Sequence, residues 1–121
     1  MKDLKFLNNP QSYNPDDAFV VHFSGINNKD ELFEQLSKKL LFPDYFGFNW
    51  DALLDMLCDF HWVEQQRIVL AHDDLPVLEE RELHTYLEIL LDTIKSWQDW
   101  EGSEKHNFEV VFPENVKDLI Q

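Results

Sequence analysis

The sequence predicts an α/β fold, a three-stranded parallel sheet covered by helices. Three observations lead there. Runs of β-branched and aromatic residues occur at 18–25, 67–73 and 107–113. The segments between them carry apolar residues at three- and four-residue spacing, the helical period. At 121 residues the chain has room for one domain, large enough to bury a core without disulfide or metal staples. Strands separated by helices pair in parallel through right-handed crossovers, which brings their C-terminal ends toward one edge of the molecule.

Residues 1–17 mix Asn, Pro, Asp and Ser around Phe6 and Leu7 and read as a leader running over the surface, an N-terminal extension to a domain spanning 18–121. AFVVHFSG (18–25) reads as a buried strand ended by Ser24 and Gly25. Asn27 or Asn28 can cap the helix that follows. Its apolar face is Leu32, Phe33, Leu36, Leu40 and Leu41, with Asp30 and Glu31 early and Lys38 and Lys39 late, as the helix dipole favours. Pro43 and Gly47 interrupt the pattern, and Asn49 can cap a second helix over 50–60. RIVLAHD (67–73) is the second strand, and LPVLEER reads as a short helical turn. The longest helix runs from Glu82 to Trp100, with Leu83, Tyr86, Leu87, Leu90, Ile94 and Trp97 on one face, and Gly102 stops it. NFEVVFP (107–113) is the third strand, and VKDLI can form a last turn.

The charge balance excludes several classes of function. Asp and Glu number 24 against 10 Lys and Arg, a formal −14. Direct binding to nucleic acid or to an anionic membrane requires a basic face, so neither is expected. A basic protein is the natural complement, because opposite net charge speeds encounter. Cys58 is the one cysteine and cannot close an intramolecular disulfide. No signal-peptide core and no run of 18 apolar residues appears, so the expectation is a cytoplasmic protein.

Catalytic patterns are sparse. The five histidines show no metal-ligand spacing, and there is no HExxH, CxxC, GxSxG, P-loop or GxGxxG, so no cofactor and no metal is expected. Asp73 and Asp74 follow the second strand, where small α/β proteins sometimes hold Mg²⁺ or a phosphoacceptor carboxylate. Solvated loop carboxylates are the simpler account of both, and a structural role is the simpler account of His72.

The second helix is more informative. Asp51, Asp55 and Asp59 recur at four-residue spacing and project from one face. Like charges so placed destabilise an isolated helix by about 0.2–0.5 kcal/mol per pair. The N-terminal dipole offsets the charge of Asp51 but not of Asp55 or Asp59. From Leu40 to Gln66 there are also Asp44 and Glu64, and no Lys or Arg. Such a stripe can be a plain solvated face. Tyr45, Phe46, Phe48, Phe60 and Trp62 crowd around it, however, and aromatics beside unpaired carboxylates have the composition of a protein interface.

FPDYFGFNWDALLDML (42–57) resembles the signature segment of barstar-like proteins, intracellular inhibitors of secreted ribonucleases. The matching positions are Pro43, Tyr45, Phe46, Gly47, Asn49, Asp51, Ala52, Leu53 and Asp55. The order of elements from 18 to 113 agrees with that family's small parallel-sheet fold. The resemblance implies that the loop and second helix plug a ribonuclease active site, with Asp55 where a substrate phosphate would bind. It implies contacts from Tyr45, Asn49, Asp51 and Asp55, with the Gly47 backbone allowing close approach; Phe46, Leu54 and Asp59 in the same stretch are further candidate contacts. It also implies an acidic contact from the long helix, Asp92 or Glu88. Asn49 and Gly47 serve equally as helix cap and turn glycine. Leu54 stands where the family often has Trp, Met56 where it has Cys, and Phe48 where the best-known member has an acid.

The favoured reading is therefore a non-enzymatic inhibitor or immunity protein that binds a basic ribonuclease or related toxin domain one to one. The alternatives are a small Mg²⁺-dependent phosphoryl-transfer protein using Asp73 and Asp74, and a general acidic interaction domain.

Overall fold

The computed structural model describes residues 3–120. In chain order the elements are β1 (Leu4–Leu7), a 3-10 turn (Pro10–Ser12), β2 (Ala18–Phe23), α1 (Lys29–Lys39), α2 (Trp50–Leu57), β3 (Arg67–His72), α3 (Glu80–Gln98), β4 (Asn107–Pro113), a second 3-10 turn (Glu114–Val116) and α4 (Lys117–Ile120). The strands form one sheet in the order β1-β4-β3-β2, and every neighbouring pair is parallel. The α/β class and the three expected strands stand. The sheet has a fourth strand, which comes from the segment read as a surface leader. Leu4 lies opposite Val110 and Phe6 opposite Phe112. Leu4 is buried, and the Phe6 and Phe112 rings stack at 6.5 Å.

The two faces of the sheet differ. Residues from α1, α2 and α3 fill one face against Phe23, Ile68, Leu70, Val110 and Phe112. On the other face Val69, Ala71 and Val111 are fully buried under Leu7, Tyr13, Ala18 and Val20, with no helix contributing. The N-terminal segment is thus both an edge strand and a strap across the back of the sheet. Glu109 anchors it, accepting hydrogen bonds from Lys5 Nζ (2.7 Å), Tyr13 Oη (2.8 Å) and Arg67 Nη2 (3.0 Å). Burial pushes the Glu109 carboxyl up, but the hydrogen bonds from Arg67, Lys5 and Tyr13 outweigh it and bring the group down to about 2.

Within the helical core one polar pair is fully satisfied. His72 Nδ1 donates to the Val111 carbonyl (2.9 Å), which leaves Nε2 to accept from the Tyr86 hydroxyl (2.7 Å). Burial lowers the His72 pKa to about 4, so the ring is neutral at pH 7, and burial pushes the Tyr86 hydroxyl well up. His72 has the structural role expected of it.

Helix ends follow local chemistry. The Asn28 side chain accepts from the Glu31 N–H (2.9 Å) and opens α1, and the Asn49 side chain accepts from the Ala52 N–H (2.8 Å) and opens α2. Two boundaries differ from expectation. The stretch 75–79 forms no helical turn. Pro76 disfavours helical backbone at Leu75, and the Val77 N–H bonds the Ile26 carbonyl (2.8 Å), so α3 starts at Glu80. The second helix ends at Leu57 rather than 60, because Phe60 takes a left-handed backbone (φ +50) that turns its ring into the core.

Candidate functional site

The loop 41–49 is held from beneath by aromatic rings. Phe46 is buried and lies 4.9 Å from Phe42 and 6.1 Å from Phe33, both edge-on. Trp62 Nε1 donates to the Leu40 carbonyl (2.9 Å), and its ring meets Phe42 at 5.9 Å. Trp50 contacts Phe33 at 4.9 Å at the start of α2. Aromatic contacts of this kind add to area burial and fix ring orientation. The outer residues of the loop are consequently presented on a packed base. Phe46, one of the expected contact residues, is buried, and its ring supports the loop from inside.

Gly47 and Asn49 act as one local unit. Asn49 Oδ1 caps α2, while Nδ2 donates back to the Gly47 carbonyl (3.2 Å). A Cβ at position 47 would meet that Nδ2 at 3.0 Å. Glycine there makes room for the cap, so both residues have a folding role at the place the resemblance assigns to contact.

Asp51 and Asp55 are exposed one turn apart on α2, and neither forms an ion pair among the described residues. Leu54 beside them is half-buried against the core. Tyr45 is 65% exposed. Asp59, the expected third member of the stripe, lies beyond the end of α2. Its carboxylate accepts from the His61 backbone N–H (3.2 Å) and from His61 Nδ1 (3.0 Å), and it lines a cleft of about 680 Å³ with Trp97, Trp100 and His106. The four-residue spacing that placed it on the helical face fails because the helix has already ended.

The neighbouring helix supplies the other candidate acids. Trp50 meets Tyr86 at 6.4 Å, and Trp97 Nε1 donates to the Leu57 carbonyl (2.8 Å), so α2 and α3 run side by side in the same direction. Glu88 and Asp92 lie on α3 between those two anchors, and both are exposed. Glu88 is engaged by His84 Nε2 at 2.9 Å, whereas Asp92 forms no ion pair among the described residues. Phe48, 57% exposed, was counted with the surrounding aromatics but not with the contacts. The signal that could have singled it out is its place between a turn glycine and a helix cap, where a bulky ring has no core to reach.

Asp73 and Asp74 are occupied elsewhere. Asp73 accepts from His22 Nδ1 (3.0 Å), and the Asp74 carboxylate accepts the Gly25 N–H (3.2 Å). They brace the ends of β2 and β3. Among the described residues no group of three or more His, Cys, Asp or Glu side chains is placed to hold a metal ion. No helix among them is long and apolar enough to cross a membrane.

Comparison with known proteins agrees with this layout. The family model described as Barstar (barnase inhibitor) matches residues 17–113, which takes in β2 through β4 and the whole loop–helix site and leaves β1 outside. No curated protein matches the chain.

Proposed function

The chain belongs to the barstar family, and we propose that it inhibits a ribonuclease by inserting the 41–49 loop and α2 into the enzyme's active site. One observation carries this reading: Asp51 and Asp55 stand exposed, with no ion pair among the described residues, on a helix presented by a packed aromatic base. A ribonuclease gathers Lys, Arg and His to hold the phosphates of its substrate. Two carboxylates one helical turn apart satisfy such a cleft and offer no scissile bond.

In this reading Asp55 takes the place of a substrate phosphate, Asp51 pairs with an adjacent cation, and Tyr45 and Leu54 exclude water around them. Asn49 and Gly47 hold the start of α2 in position. Asp92 adds a contact from α3. Asp59, tied to His61, contributes at the rim. The partner is a basic enzyme bound one to one in the cytoplasm, and the −14 charge accelerates the encounter. Raising ionic strength from about 0.1 M to about 1 M shortens the Debye length from about 10 Å to about 3 Å and should slow association markedly.

The test is inhibition of purified basic microbial ribonucleases, barnase first, by the full chain and by Asp55→Ala, read with a fluorogenic RNA substrate. Stoichiometric inhibition that is lost in Asp55→Ala supports the active-site plug. Inhibition retained undiminished in Asp55→Ala rules it out.

A further inference from the structure

Phe48 sits in a conformation that its own fold does not reward. Its backbone is left-handed (φ +50), a region that bulky L residues rarely adopt and that glycine or asparagine usually fills. Two other apolar residues share the conformation, and each ends a helix. Leu41 follows α1 and lies in the turn closed by the Phe42 N–H on the Ser37 carbonyl (2.9 Å), and Phe60 ends the α2 turn with its ring buried. Phe48 ends no helix, and its ring is 57% exposed. The core beneath it is already filled by Phe46, which packs on Phe33 and Phe42. The Phe48 ring leans on Phe46 at 4.8 Å, which supports it from one side. Strain kept at an exposed position and supported from below is characteristic of binding loops.

What Phe48 can bind follows from the chemistry around it. An RNA-cleaving site must hold two unlike things side by side, a phosphate among cations and a base against a flat apolar surface. The loop and α2 display the same two chemistries in succession: an exposed ring at 48, then carboxylates at 51 and 55 that form no ion pair among the described residues. Resting on the ribonuclease reading above, we propose that Phe48 is the specificity-determining anchor of this face, its ring entering the nucleobase-recognition subsite while Asp51 and Asp55 meet the phosphate-binding cations. An aromatic face stacks in such a slot as a base does. An inhibitor with an acid at this position would select a different cleft.

The experiment uses the full chain, Phe48→Ala, Phe48→Trp, Phe48→Gly and Asp55→Ala against the ribonuclease that the wild-type chain inhibits most strongly in a panel that includes barnase. Loss of the ring should raise Kd about tenfold or more, and Trp should keep affinity within about threefold. A saturating phosphate-free nucleoside of the enzyme's preferred base should raise the wild-type Kd severalfold and leave that of Phe48→Ala nearly unchanged. Phe48→Gly should melt at or above the wild-type temperature, since glycine is at ease at positive φ, which separates loss of binding from loss of fold. If Phe48→Ala binds like wild type, or the nucleoside shifts both Kd values equally, while Asp55→Ala loses affinity, the anchor is refuted and the ribonuclease reading stands. If the wild-type chain inhibits none of the enzymes, both fall together.

Discussion

On the back of the sheet Glu109 accepts hydrogen bonds from Arg67, Lys5 and Tyr13, and its carboxyl lies near 2. On the helical side Asp51 and Asp55 stand exposed with no ion pair among the described residues. The same functional group is handled in opposite ways on the two sides of the sheet, and the handling tells what each is for. Glu109 ties β1, the strap and β3 to β4, so its donors come from within the molecule. The α2 carboxylates are paired with no described residue, and the stretch from Leu40 to Gln66 contains no Lys or Arg. A charge satisfied internally serves the fold, and a charge left unsatisfied on a rigid, exposed helix is available to a partner.

That contrast can be broken by exchanging the effects. Asp55→Ala should weaken the proposed ribonuclease complex by about 2–5 kcal/mol or more, because a cation of the enzyme is left buried and unpaired. Titration calorimetry or association and dissociation kinetics would measure it.

The next largest effect belongs to neither carboxylate site and sharpens the comparison by acid titration. His72 has a folded pKa near 4, below the ordinary 6.5, so the unfolded chain takes up a proton first as pH falls. Stability should therefore drop between about pH 6.5 and pH 4, by about 3 kcal/mol at most, and level off below. Glu109 behaves differently. Its folded pKa is depressed, so its contribution is fully present above the ordinary value of 4.5 and is lost as pH falls through about 2. Urea unfolding at a series of pH values would separate the two windows, and a flat profile from pH 7 to pH 4 would contradict the neutral buried His72.

Arg67→Ala should cost about 1–2 kcal/mol of stability, since it removes two hydrogen bonds to the Glu109 carboxylate and one to the Tyr13 hydroxyl, at a partly exposed position. It should leave ribonuclease binding unchanged. Urea unfolding and the inhibition assay read the two consequences separately. The smallest effect is the mirror image: Asp55→Ala should change the stability of the free protein by less than about 0.5 kcal/mol, and in the stabilising direction, because repulsion from Asp51 is relieved. A large fall in melting temperature for Asp55→Ala would mean that the α2 acids serve the fold after all.

Much of the architecture was legible in the chain because its causes are local. The strands at 18–23, 67–72 and 107–113 appear where β-branched and aromatic runs occur, and Asn28 and Asn49 cap the helices they precede. Part of the site was legible for the same reason. A helix that starts at Asn49 and runs past Asp55 must place Asp51 and Asp55 one turn apart, and the absence of Lys and Arg nearby can be read directly from composition.

Other features were decided by contacts between distant segments. Four residues with a lysine among them give no strand signal, and β1 exists because β4 offers it a parallel edge, with Val110 opposite Leu4 and Phe112 opposite Phe6. Phe46 and Phe48 are the same residue type two positions apart. One is buried and the other exposed because Phe33 and Phe42 surround the first and the backbone turns at the second. Asp59 leaves the acidic face because Phe60 turns inward, and among the described residues Glu88 is paired while Asp92 is not, because His84 lies one turn before Glu88. The sequence alone determined where β2, β3, β4, α1, α2 and α3 lie and which segments carry acid, since propensity, capping and charge act over a few residues. Only the tertiary structure decided which rings and carboxylates the surface keeps, since that depends on which partners arrive from elsewhere in the chain.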